Sequence, residues 1–107
     1  MKYHLFSILF FISTLYPDVV YRVPINGVID LGLPPFIERA LDEAEANNAK
    51  AVIFDINTFG GRVDAATQIK DAILSSKVPT IAFINRRAIS AGALISLSCE
   101  KIYMTGG

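Results

Sequence analysis

The chain has 107 residues, 52% of them hydrophobic, with ten Lys and Arg balanced by ten Asp and Glu. That length bounds it to one small domain, and the balanced charge offers no basic stripe for a nucleic-acid partner. A single histidine, His4, and a single cysteine, Cys99, exclude an internal disulfide and leave no ligand set for a metal.

The opening MKYHLFSILFFISTLYP differs in composition from the rest. Lys2 gives a positive start, Leu5 to Leu15 is almost wholly apolar, and Pro17-Asp18 ends the run. About a dozen apolar residues are fewer than the roughly 20 that span a bilayer as a helix. Residues 1–17 are therefore expected to be a secretory signal peptide or an uncleaved membrane anchor. Residues 18–107 would then be secreted, periplasmic or held at the extracytoplasmic face of a membrane. A buried element of the domain is the plainer alternative for the same run.

DVVYRVPI, residues 18–25, is rich in β-branched residues and reads as a strand closed by the turn residues Asn26-Gly27. Pro34-Pro35 open a helix, in which Phe36, Ile37, Ala40, Leu41 and Ala44 recur at three- and four-residue steps. Asn47-Asn48 stop it. AKAVIFDI, residues 49–56, is the continuous apolar run of a strand covered on both faces. After NTFGGR comes a helix from Val63, with Val63, Ala66, Ile69 and Ile73 on one stripe and Asp64 in its first turn. Pro79 precedes a third strand, TIAFIN. A short helix from Ser90 to Ser98 and a fourth strand, KIYM, complete the chain.

Strands alternating with helices predict an α/β fold with a mostly parallel sheet and right-handed crossovers. Ligands of such sheets bind at the carboxyl ends of the strands. Those ends carry Asn26-Gly27, Asn57 to Gly61 and Asn85 to Ser90, so three separate segments are expected to converge on one rim. The sheet is small, and its last edge would lie open, so the domain is expected to be incomplete at its C-terminus.

Two features of the rim can carry chemistry. Gly60-Gly61 lies between a strand and a helix, where backbone passes close to a ligand and amides hold a negative oxygen; a tight turn is the competing reading. Ser90 opens a helix beside the small residues Ala91, Gly92 and Ala93, which leave room for a substrate; a plain N-cap serine competes. An oxyanion hole needs two amides aimed at one point, and Gly61 and Ala91 can supply them. Arg86 and Arg87 are solvated loop residues or carboxylate binders. Asp55 is expected to be satisfied by nearby backbone amides, and Cys99 to be a small buried hydrophobe.

VYRVPINGVID, AVIFDINTFGGRVDAATQIKDAI and VPTIAFINRRAISAGALISLSCEKIYM together resemble the N-terminal protease domain of the NfeD family. That family sits in the ClpP-like superfamily, with the signal peptide peptidase SppA as a cousin. The resemblance runs from about Val19 to Met104. It implies a ClpP/crotonase-like fold and a membrane-associated serine peptidase with a Ser–Lys dyad, acting on apolar or membrane-derived peptides. By the same resemblance Ser90 is the nucleophile, Gly61 and Ala91 give the oxyanion amides, and Gly60 and Gly92 belong to the substrate loop. It also implies homo-oligomers. The sequence departs from the family in having Phe59 where a proline is usual and Ile89 where a smaller residue is usual.

A serine needs a base. Lys50 and Lys77 precede strands and so lie at the far end of the sheet. Lys70 falls mid-helix, and Lys101 lies on the order of 13 Å past Ser90 along the helix. The family's lysine comes well after the serine, so the base is expected to be missing from these 107 residues and the chain alone to be inactive. A non-catalytic ClpP-like module for assembly or partner binding is the alternative reading. A crotonase-type acyl-CoA protein is a weaker third, opposed by the signal-like leader. No cofactor is implied, since neither a dinucleotide fingerprint nor a phosphate loop is present.

Overall fold

The computed structural model describes residues 17–106. The expected leader, save for Pro17, lies outside the described residues. Seven elements follow one another: β1 (Val20–Asn26), α1 (Leu33–Ala46), β2 (Ala51–Thr58), α2 (Val63–Leu74), β3 (Thr80–Ala88), α3 (Ala91–Ser98) and β4 (Lys101–Met104). The four strands form one sheet in the order β1-β2-β3-β4, and every pairing is parallel. Parallel neighbours need crossovers, and each of the three helices is one. No helix among the described residues is long and apolar enough to cross a membrane.

The core lies between the helices and one face of the sheet. Register puts Val23 beside Phe54 and Phe54 beside Ala82, and places Ile25, Ile56 and Ile84 level with one another on the same face. Ile37, Leu41 and Ala44 of α1, Ala65, Ala66, Ile69 and Ile73 of α2, and Ile95 of α3 pack against that face. Phe54 is fully buried, a burial that contributes on the order of 2–3 kcal/mol. Two expected stripe residues turn outward: Phe36 is 41% and Val63 68% exposed. Pro34 takes the inward place in α1, because the stripe runs through 34, 37, 41 and 44.

The opposite face carries Arg22, Ile53, Asp55, Ile81, Phe83 and Tyr103 by strand alternation. No helix of the described residues covers it, so the apolar run 49–56 is covered on one face and not on both. Asp55 is nonetheless buried, and its partner is a side chain rather than backbone amides. The Arg22 guanidinium donates to Asp55 Oδ2 from Nε at 3.1 Å and from Nη2 at 2.5 Å. Arg22 sits two positions from Asp55 across the β1–β2 ladder, on the same face, where Pro24 is the direct partner.

The third strand also runs further than expected, through Arg86 and Arg87 to Ala88. Ile56 pairs with Ile84 and Thr58 with Ala88, so β3 spends more residues than β2 over the same stretch. This bulge puts Arg86 at φ +81. Bulges of this kind re-aim side chains beside functional rims.

Candidate active site

The carboxyl ends of β1, β2 and β3 bring together the three segments expected there. Gly27 turns the chain out of β1 with φ +78. Its carbonyl accepts a hydrogen bond from Thr58 Oγ1 at 2.5 Å, and the same hydroxyl oxygen accepts from the Gly60 amide at 3.0 Å. Ile29, fully buried, lies alongside the glycine pair. Its N–H donates to Gly60 O at 3.0 Å, and its carbonyl accepts from the Arg62 N–H at 2.9 Å. These two bonds straddle Gly61 and leave the Gly61 N–H out of the bridge. On the other flank the Ile89 N–H donates to Thr58 O at 3.1 Å.

Ser90 occupies the junction between β3 and α3 with φ 56 and ψ −117. A positive φ is uncommon for any residue but glycine, and costs of order 1–3 kcal/mol that the surroundings must hold in place. An N-cap serine takes extended dihedrals and lends its oxygen to the first turn. Ser90 does neither: its hydroxyl makes no cap hydrogen bond. Backbone closes the first turn instead, with Gly92 N–H donating to Ile89 O at 3.0 Å and Ala93 N–H to Ser90 O at 2.9 Å. The strained turn presents an exposed hydroxyl at the head of an eight-residue helix, where the dipole favours negative charge.

The glycines explain how closely these segments meet. A Cβ on Gly60 would lie 3.0 Å from Ser90 Cβ, 3.0 Å from Ile89 O and 3.4 Å from Ala91 N. Gly60, with φ +114, is therefore the residue that touches Ser90. A Cβ on Gly61 would instead strike the Ile29 backbone. On Gly92 it would stand 2.5 Å from Thr58 Cγ2, so α3 packs directly on the end of β2. Neither the Gly61 nor the Ala91 N–H takes part in the turn, bridge and cap hydrogen bonds of this rim.

Charges nearby are few. Arg62 binds Asp64 through Nε at 3.0 Å and Nη2 at 2.7 Å. That hydrogen-bonded guanidinium holds the Asp64 carboxyl below its ordinary value. The Arg87 guanidinium lies over the Phe59 ring, 4.4 Å from its centroid. Lys50, Lys77 and Lys101 stand at the amino ends of β2, β3 and β4, and Lys70 on α2 lies 3.2 Å from Asp71. None of these lysines is at the rim. Cys99 closes α3, and burial pushes its thiol up to about 11, which leaves it inert as a nucleophile.

Thr58 and Ile29 were not legible as site residues. A threonine before a glycine turn hints at a hydroxyl-to-backbone bond, but the Ile29 bridge is a purely tertiary contact.

A family model for the NfeD1b N-terminal domain matches residues 19–107. The chain belongs to the NfeD1b N-terminal domain family. Membrane protein NfeD1b of Bacillus subtilis is 42% identical over 90 residues, which are 84% of this chain and 21% of that protein. Membrane-bound protease PH1510 of Pyrococcus horikoshii is 36% identical over 93 residues, again 84% and 21%. The chain thus spans about a fifth of the length of these curated relatives. Among solved structures, a serine-to-alanine mutant of the 1510-N membrane-bound stomatin-specific protease gives a TM-score of 0.77 at 34% identity, covering 84% of this chain and 45% of that one. A lysine-to-alanine mutant of the same protease, in complex with a substrate peptide, gives 0.76 at 34% identity over 84% and 42%. ClpP1 from Listeria monocytogenes gives 0.61 at 29% identity over 74% and 46%. The parallel sheet and its crossover helices are those of a ClpP-like protease fold.

Proposed function

We propose that this NfeD1b N-terminal domain carries the nucleophile and the oxyanion-binding amides of a membrane-associated serine peptidase that cleaves apolar peptides. The observation that carries the reading is the strained Ser90 turn packed directly on Gly60. In this reading Ser90 Oγ bonds to the scissile carbonyl carbon, and its proton passes to a lysine amine. The carbonyl electron pair moves onto oxygen, which the Gly61 and Ala91 N–H groups stabilise at the positive end of α3. Collapse breaks the C–N bond, and the departing amine takes the proton from the lysine. Water then hydrolyses the acyl-serine.

The lysine is proposed to come from outside these 107 residues. Lys50, Lys70, Lys77 and Lys101 all lie away from the rim, and the relatives solved as variants had a serine and a lysine replaced, about 40 positions apart. Homo-oligomers and an extracytoplasmic position at the membrane belong to the same reading. The absence of a described lysine at the rim is also what favours the second reading, a non-catalytic module acting in assembly.

A fluorophosphonate probe separates the two. With a primary amine added as base, labelling is expected at Ser90, to rise with amine concentration, and to vanish in Ser90→Ala. An apolar peptide incubated with the chain alone is expected to remain intact. Labelling of Ser90 no faster than of surface serines such as Ser75 would overturn the peptidase reading, and Ser90-dependent cleavage without added base would overturn the missing lysine.

A further inference from the structure

We propose that Arg87 is a positioning residue, fixing the Phe59–Gly61 turn against the strand end that bears Ser90. The turn is held unevenly. Toward β1, Gly60 O and Arg62 N–H are both bonded to Ile29, and Thr58 Oγ1 is bonded to Gly27 O. Toward Ser90 the backbone hydrogen bonds reach only as far as Thr58, at the end of the β2–β3 ladder, with Ile89 N–H donating to Thr58 O. Phe59 forms the tip and is 71% exposed, so burial does not hold it. What its ring meets is the Arg87 guanidinium.

Arg87 is suited to that contact by its place in the chain. It precedes Ser90 by three residues, on the stretch of β3 where the bulge and the positive φ of Arg86 redirect the strand. Its guanidinium makes no ion pair among the described residues. A guanidinium over an aromatic face is attracted by the ring quadrupole. The pair therefore links the two halves of the cradle across the gap that the glycines leave without side chains. Loosening it lets the Gly61 N–H swing relative to the Ala91 N–H.

The consequence for catalysis rests on the peptidase reading, whereas the test reads the turn itself. Amide hydrogen exchange on the full chain is the measurement. Arg87→Gln is expected to speed exchange of the Gly60 and Ile89 amides about two- to fivefold. The Val52 amide, bonded to Pro79 O at the far end of the sheet, is expected to be unchanged. Phe59→Leu should match Arg87→Gln, the double variant should add nothing, Arg87→Lys should retain part of the protection, and Phe59→Trp should increase it. Additive single effects, or unchanged exchange in a folded Arg87→Gln chain, would overturn the proposal. Should Arg87→Gln fail to fold, the exposed Phe59 series decides alone, with unchanged exchange in Phe59→Leu counting against it. Loss of this effect with Ser90 still reactive toward the fluorophosphonate removes Arg87 and leaves the peptidase reading standing; the converse result does the reverse.

Discussion

Replacing Gly60 by alanine tests whether the glycine turn and the serine turn meet as described. Two glycines with positive φ provide the comparison. At Gly27, φ is +78 and an added Cβ would find nothing within 4 Å. Gly27→Ala therefore meets only the backbone term, about 1–2 kcal/mol for an L-residue in this region, partly offset by about 0.4–1 kcal/mol from a less flexible unfolded chain. At Gly60 the backbone cost is at least as large, because φ +114 lies beyond the left-handed basin, and the new methyl lies 3.0 Å from both Ser90 Cβ and Ile89 O. Neither neighbour is the end of a flexible side chain, so relief requires backbone movement, an overpacking cost of about 1–3 kcal/mol. Gly60→Ala is thus expected to lose about 2–4 kcal/mol and Gly27→Ala about 1 kcal/mol. For a domain of this size about 1 kcal/mol moves Tm by roughly 4–8 °C, so thermal melts followed by circular dichroism resolve the two. Equal losses in both variants would refute the close approach of Gly60 to Ser90.

Other outcomes follow from the same contacts. Gly92→Ala gains helix propensity but drives its methyl into Thr58 Cγ2; a net destabilisation in urea melts is expected, relieved when Thr58→Ser removes that methyl. Arg22→Met leaves the buried Asp55 carboxylate without its donor, an expected loss of about 1–3 kcal/mol, whereas Asp55→Asn frees only an exposed arginine and should cost less. Cys99 should resist alkylation in the native chain at pH 8. A thiol raised from 9.0 to about 11 carries about a hundredfold less thiolate there, and denaturant should restore the rate. Because that folded value is raised, the thiol's contribution to stability is complete below pH 9 and lost as pH rises toward 11.

The element order was legible because each strand is an apolar run and each helix a three-to-four stripe, and local and global preferences agree. Ser90 stood out through its small neighbours, and the rim because open parallel sheets bind ligands at the carboxyl ends of their strands. What escaped depends on partners far along the chain. The Arg22–Asp55 pair spans 33 residues. The run 49–56 is apolar on both faces, and nothing in it says that only one is covered by a helix. Arg86 and Arg87 look like loop because charge at a bulge cannot be told from charge in a turn. The glycine pair was recognised, yet which glycine touches the serine is set by the Ile29 bridge, which draws Gly61 aside and leaves Gly60 against Ser90.

The most direct test of the cradle is an amide-shift titration of the isotope-labelled chain with an apolar peptide boronic acid, whose boron accepts the Ser90 oxygen and becomes tetrahedral. The account predicts that the largest shifts fall on the Gly61 and Ala91 N–H groups and disappear in Ser90→Ala. Shifts that persist without the serine, or that leave those two amides unmoved, would contradict it.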